Sequence, residues 1–437
     1  MNNSNKILFI SRTMPFPIQG GDLIVLDNIM KALSESEIEA DLLCFTRKND
    51  DVLKIKNVKE KLGFKNVFYS QIESKINARC VFDWLFKEKS YIFNRFYSKK
   101  FSKKLLELVK TGEYSTLVFE HSFMYVNLLF NPILKEEIKI RNIKTVINSH
   151  VLEYFVLEQT KYLKITGERV AEGDGKRAQK LTLATSLEGG GWGWVIKKFF
   201  IKKEQKFIKK IELDCIKNAD KTVFLGHEEL ERVQTILPEE SKKFHLLEMT
   251  PFINNYPYSQ PEFEEKNSIY FLGTFSWVQN HDAVMYFVRE IFPLILRKNP
   301  EIKFYLVGMN AGKDIKSLHD GKNIFFVGEK DDIFKEIKKY SVLIVPLRLK
   351  GGTRIKILES IAWGKAIISA SSGMEGVNTY GESPVLIADT AEDFAQKVLE
   401  LVSDDDLRIK IKENARNFAE SHYSFEKFKE SVLKVFM

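Results

Sequence analysis

Short, unbroken apolar runs recur along the chain, each followed by polar or glycine-containing residues. Lys6 to Ser11 (KILFIS) has no polar alternation, the pattern of a parallel strand buried on both faces. A proline-containing loop, Gly20 and Gly21 follow. DLIVLDNIMKAL then carries apolar residues at helical spacing, with Asp22 as the predicted N-cap. ADLLCF, NVFYS, TLVFEH, TVINSH and KTVFLG are further predicted strands, separated by helical stretches. A second series begins near Ser268. SIYFLG, KFYLVG, NIFFVG, SVLIVPL and AIISAS read as strands, and HDAVMYFVREIFPLILRK as one amphipathic helix. Strand–helix alternation implies parallel sheets. The expected fold class is therefore α/β, with two Rossmann-like doubly wound domains.

Proline, asparagine and acids cluster in FINNYPYSQPEFEEKN (Phe252 to Asn267), which sets the boundary. The expected domains are 1–252, 253–424 and a last helix, 425–437, that crosses back to the first domain. Gly167 to Lys203 fits neither series. Its glycines predict a loop within the first domain, and Trp192, Trp194 and the following lysines resemble an interfacial anchor or a lid.

The 437 residues are 44% hydrophobic and 29% charged, ordinary for a globular chain of two domains. The formal charge of +8 is mostly lysine spread along the chain. It suits a solvated surface, or attraction to phosphate-bearing ligands or an anionic membrane. Nucleic-acid binding would rest on this charge alone and is not expected. Cys44, Cys80 and Cys215 are far apart and lack metal-ligand spacing. No secretory pattern opens the chain, and no apolar run reaches the ~18 residues of a spanning helix. A cytoplasmic location, with peripheral contact at the inner membrane face, is the expectation.

LKGGTRIKILESIAWGK, from Leu349, holds the densest candidate chemistry. After the SVLIVPL strand, Gly351 and Gly352 let a ligand approach the main chain. A helix beginning near Thr353 adds its positive end. Arg354 offers a planar fork for phosphate oxygens, and Lys356 a second cation. Glu359, more than a turn further on, can accept hydrogen bonds from ribose hydroxyls. Cations for a diphosphate and a carboxylate for a diol would make a nucleotide site at the C-terminal edge of a parallel sheet. No G-x-G-x-x-G follows KILFIS, which disfavours a dinucleotide dehydrogenase. The acids Asp404 to Asp406 read as a helix start rather than a metal site.

The stretch FVGEKDDIFKEIKKYSVLIVPLRLKGGTRIKILESIAWGKAIISASSGMEG resembles the donor-binding half of the family 4 glycosyltransferases. These are retaining nucleotide-sugar enzymes whose two domains face a cleft, the GT-B fold. FVG (Phe326, Val327, Gly328) matches the strand and loop against the base. GGTRIKILESIAWGK matches the glycine turn and ribose-binding glutamate. SSGMEG, with Met374, Glu375 and Gly376, matches the loop after the next strand. FLGTFSWVQNHDAVMYF, with Gly273 and Thr274, resembles the domain's first strand–loop–helix, and Gly20–Gly21 the glycine loop near the donor phosphates. NSHVLEYFVLEQ resembles a His-Asn-x-Glu segment of one branch.

The resemblance implies His150, Arg354 and Lys356 as catalytic residues. It implies a donor site of Gly20, Gly21, Gly273, Thr274, Val327, Gly328, Gly351, Gly352, Thr353, Glu359, Met374, Glu375 and Gly376, and Glu120, His121 and Glu153 on the acceptor side. No metal or other cofactor is expected. The partners expected are a nucleotide-sugar donor and a glycan, lipid-linked or protein acceptor, in bacterial surface glycan or glycoconjugate synthesis. Two departures stand out. An acid usual in the family falls at Gly351. The Arg and Lys usual in the first loop are replaced by Thr274, Phe275, Gln279 and Asn280, so Arg354 and Lys356 take over phosphate neutralisation. These departures keep open a non-catalytic glycosyltransferase-like subunit, or another GT-B enzyme such as a sugar-nucleotide epimerase.

Overall fold

The computed structural model describes residues 6–16, 18, 20–46, 54–71, 84, 90–159 and 192–437. The chain divides into two compact units. The first comprises Met1–Glu158, Lys198–Met249 and Phe425–Met437; the second comprises Gln159–Lys197 and Thr250–Ser424.

The first unit holds a seven-stranded sheet of β1 (Ile7–Ser11), β2 (Ala40–Thr46), β3 (Val67–Gln71), β4 (Thr116–Glu120), β5 (Lys144–Ser149), β6 (Lys221–Phe224) and β7 (Phe244–Leu246). The order is β3-β2-β1-β4-β5-β6-β7, and every pairing is parallel. β1, β2 and β4 are buried at every position, which explains their lack of polar alternation. The strand order reverses between β1 and β4, so the loops after these strands diverge there.

The last helix, Phe425–Phe436, packs in this unit through Phe428, Val432, Val435 and Phe436. Its C-terminal carbonyls take up lysine ammonium groups: Lys221 Nζ donates to Val435 O at 2.7 Å and Lys144 Nζ to Met437 O at 2.6 Å. Thr116 Oγ1 donates to Phe436 O at 3.1 Å.

The second unit holds six parallel strands: β8 (Glu265–Leu272), β9 (Lys303–Val307), β10 (Ile324–Gly328), β11 (Tyr340–Val345), β12 (Ala366–Ser369) and β13 (Leu386–Ile387), ordered β10-β9-β8-β11-β12-β13. Its reversal lies between β8 and β11. A buried charge cluster ties the sheet to its flank. Glu264 accepts from Lys365 Nζ at 2.7 Å, from Arg408 Nε at 3.3 Å and from Lys412. Burial, opposed by Glu264, brings Lys365 down to about 8. Lys365, the last residue of the glycine-turn stretch, is thus a packing residue.

Several expectations are corrected. The helix after the first glycines is Gly21–Glu35 and its N-cap is Gly20, at φ 98°; Asp22 lies in the first turn and pairs with Arg12 instead. The long helix of the second unit is broken into Val278–Tyr286, a π turn Phe287–Ile291, and Phe292–Lys298. Pro293 lacks the N–H a continuous helix needs, and the π turn absorbs the mismatch. The segment expected as a loop up to Lys203 contains a helix, Trp192–Asn218; residues 167–191 and Cys80 lie outside the described residues. Asp404 does start a helix: its Oδ1 accepts from Leu407 N at 2.8 Å. Among the described residues no helix is long and apolar enough to cross a membrane.

Candidate functional site

In the second unit, the loops after β8, β11 and β12 meet at the C-terminal edge of the sheet. The helix after the glycine turn spans Ile355–Ala362, with Arg354 at its N-cap, two residues later than the sequence pattern predicts. Gly351 and Gly352 adopt φ of 115° and 78°, values that side-chain-bearing residues rarely reach. Arg354 Nη2 donates to Leu349 O at 2.8 Å and so ties the turn's two ends together. A Cβ at Gly376 would come 2.5 Å from Thr353 Oγ1, so the loop after β12 needs glycine to lie against the turn. From the same loop, Glu375, itself buried, accepts a hydrogen bond from Gly351 N. A carboxylate from the next loop therefore reaches the position where Gly351 offers no side chain.

Lys356 points across to the loop after β8. Its Nζ donates to Asn280 Oδ1 at 2.8 Å and lies 4.2 Å from the centroid of the Phe271 ring. Asn280 Nδ2 in turn donates to Thr274 O at 3.0 Å. A Cβ on Gly273 would stand 3.0 Å from Lys356 Nζ, so glycine makes room for the ammonium. Burial, then the neighbouring Arg354, push the Lys356 pKa well below the ordinary lysine value. An anion placed here would reverse that shift. Glu359, one turn on, accepts from Tyr256 Oη at 3.0 Å, and burial raises its pKa to about 7. Val327 and Gly328 end β10; Gly328 O accepts from Gly308 N at 2.9 Å, and Gly308 packs on Gly273 O. Met374 closes the short turn Ser371–Met374, and its carbonyl accepts from Val377 N at 2.9 Å.

In the first unit, β1, β4 and β5 deliver a second polar cluster. His150 Nε2 lies 2.6 Å from Glu120 Oε2, and Asn148 Nδ2 is 3.3 Å from both Glu120 oxygens. His121 Nε2 is 3.8 Å from Asp22 Oδ2, which Arg12 Nη2 reaches at 2.8 Å. Burial alone would raise the Asp22 pKa, but Arg12 and then His121 hold it far below the usual carboxylate range. Burial, His150 and Arg12 depress His121 to about 3, so its imidazole is neutral. Gly20 and Gly21 adjoin Asp22 in the same segment.

Glu153 goes to different partners. It opens the helix Glu153–Gln159, where Glu153 N and Tyr154 N donate to the two oxygens of Glu212 at 3.2 and 3.0 Å. Burial, then the Glu153 carboxylate, raise Glu212 to about 8. Sequence reasoning missed Arg12, Asp22 as an ion-pair partner, Asn148, Glu212 and Tyr256. Only the position of Arg12 directly after a buried strand could have signalled a site.

Two successive doubly wound parallel sheets of this kind constitute the GT-B fold of glycosyltransferases. Residues 266–404, within the second unit, match the family model for Glycosyl transferases group 1. Along 98% of its length the chain is 22% identical to a Klebsiella pneumoniae protein known as an uncharacterized 44.6 kDa protein in the cps region, and the match covers 99% of that protein. Over 186 residues, 40% of this chain and 46% of the relative, it is 23% identical to the uncharacterized glycosyltransferase MJ1069 of Methanocaldococcus jannaschii. Among solved structures it superposes on TarM with a TM-score of 0.66 at 12% identity, covering 99% of this chain and 98% of the other. It superposes on HepE of Anabaena, solved with UDP-glucose, with a TM-score of 0.63 at 12% identity and 98% coverage of both chains.

Proposed function

We propose that the protein is a retaining glycosyltransferase that moves a sugar from a nucleotide sugar to a glycan, lipid-linked or protein acceptor. The observation that carries this reading is the seating of Lys356 beside the glycine turn, one helical turn before Glu359. Breaking the anomeric C–O bond leaves negative charge on the departing diphosphate. Lys356, Arg354 and the amides of Gly352 and Thr353 would stabilise that charge. Glu359 would accept from the ribose. Glu375 would supply, from the neighbouring loop, the carboxylate that the Gly351 position lacks, facing the hydroxyls of the transferred sugar. Retention follows if the acceptor attacks the face the diphosphate leaves, with a departing phosphate oxygen taking the acceptor's proton. UDP is the first nucleotide to test, since HepE was solved with UDP and UDP-glucose. The relative from a cps region supports a role in bacterial surface glycan synthesis.

The test is turnover of a nucleotide-sugar panel by the purified chain, read as nucleoside diphosphate release with and without cell-envelope acceptor extracts. Release from one donor supports the proposal; none from any donor contradicts it. Two further outcomes follow. Arg354→Ala should lower turnover about tenfold to a hundredfold, the worth of one charge-assisted hydrogen bond. Because protein cations are assigned the diphosphate charge, EDTA should leave the rate unchanged; loss of activity in EDTA, restored by Mg²⁺, would overturn that assignment.

A further inference from the structure

Tyr256 lies in the segment that opens the second unit ahead of β8, far in sequence from the helix Ile355–Ala362. Its surroundings fix it on three sides. Pro257 follows it and keeps its backbone out of helical space, at φ −119° and ψ 89°. Arg416 Nη1 donates to Tyr256 O and to Ala362 O, both at 2.6 Å, which ties the segment to the end of the helix. The Tyr256 ring packs on Trp363, with centroids 5.2 Å apart. Trp363 is 6% exposed and is stacked in turn on Phe334, with centroids 5.6 Å apart and planes at 30°.

Trp363 stands four residues after Glu359. Positions at that spacing share one helix face, one above the other. A ring resting on Trp363 therefore presents its hydroxyl one turn back, where Tyr256 Oη donates to Glu359 Oε1 at 3.0 Å. Among the described residues this is the only side-chain partner of the Glu359 carboxylate, and it leaves Oε2 to a ligand. Burial works against the ionised carboxylate, and the Tyr256 hydroxyl works for it. A glutamate side chain gives up much rotamer freedom when it is immobilised. With Oε1 held by a rigid aromatic residue, that ordering is complete before a ligand arrives, and Oε2 keeps a single direction.

We propose that Tyr256 is the positioning residue of the Glu359 carboxylate, holding Oε1 so that Oε2 meets the vicinal hydroxyls of a ribose. This rests on the reading of Glu359 as the ribose acceptor. It goes beyond that reading by making ribose recognition depend on a residue outside the loops after β8, β11 and β12.

Calorimetric titration of full-length wild type and Tyr256→Phe with UDP and with 2′,3′-dideoxy-UDP tests the role. The phenylalanine keeps a ring against Trp363 and removes only the hydroxyl. Wild type should prefer UDP to the dideoxy analogue. The variant should bind UDP about tenfold more weakly and the analogue as wild type does. Unchanged affinity for UDP overturns the proposal; an equal loss for both ligands does so too, since it marks Tyr256 as a packing residue. If Tyr256→Phe does not fold, Tyr256→Leu carries the same comparison. The failures are distinguishable. A wild type that binds UDP and its dideoxy form alike removes Glu359 from the ribose, and the positioning role falls with it. A wild type that prefers UDP, beside a variant that keeps the full preference, sinks the positioning role alone. Where UDP does not bind, ADP and GDP with their dideoxy forms take its place, and binding of none of them refutes both.

Discussion

Lys356→Met should lose turnover several hundredfold while the unliganded protein becomes more stable. Both effects come from one cause. The ammonium is held by a neutral amide and an aromatic face, and burial together with Arg354 drives its pKa well down. In the free protein a charged Lys356 is therefore a liability. With a diphosphate beside it, the same ammonium makes a desolvated charge-assisted bond, and removing one such preorganised donor costs about 10²–10³ in rate. A group whose folded pKa is depressed from the lysine value destabilises fully below that folded pKa and not at all above the unfolded one. The gain in Tm should be largest at acidic pH and fade as the pH approaches ten. Parallel melts across pH, with steady-state rates at pH 7, check both halves. A variant that loses both activity and stability would mark Lys356 as a packing residue.

Glu359→Gln should weaken binding of a nucleoside diphosphate about a hundredfold. The amide can still accept from Tyr256 Oη, so the local fold is kept. It offers one acceptor oxygen where the carboxylate offers two, and no charge to strengthen bonds from a ribose diol. The stability sign is again opposite. Burial raises the carboxyl from 4.5 to about 7, so its ionisation penalises the folded state. The penalty is nil below pH 4.5, grows between there and 7, and is full above, on the order of 1–3 kcal/mol. The variant should melt with wild type at pH 4.5 and later than wild type at pH 8. Calorimetric titration with UDP at pH 8 supplies the affinity. Unchanged affinity would remove Glu359 from the site.

The sheets were legible because a parallel strand covered by helices on both faces has no room for polar alternation: β1, β4 and β11 are apolar runs buried throughout. β7 and β13, at the sheet edges, span three and two residues and carry too short a pattern to be recognised. The glycine turn was legible for a local reason, since two glycines and two cations stand together in sequence. What could not be read is what the fold brings from afar. Glu375 reaches Gly351 across 24 positions, Asn280 reaches Lys356 across 76, and Asp22 meets His121 from a different strand's loop. Lys365 shows the converse: it closes the same recognisable stretch, yet its ammonium is buried against Glu264.

The most direct measurement is a crystal structure of the protein with UDP. The diphosphate should lie on the amides of Gly352 and Thr353 within hydrogen-bond reach of Lys356 Nζ, and the ribose hydroxyls should donate to Glu359. A nucleotide bound away from the loops after β8, β11 and β12, or a ribose with no contact to Glu359, would contradict the account.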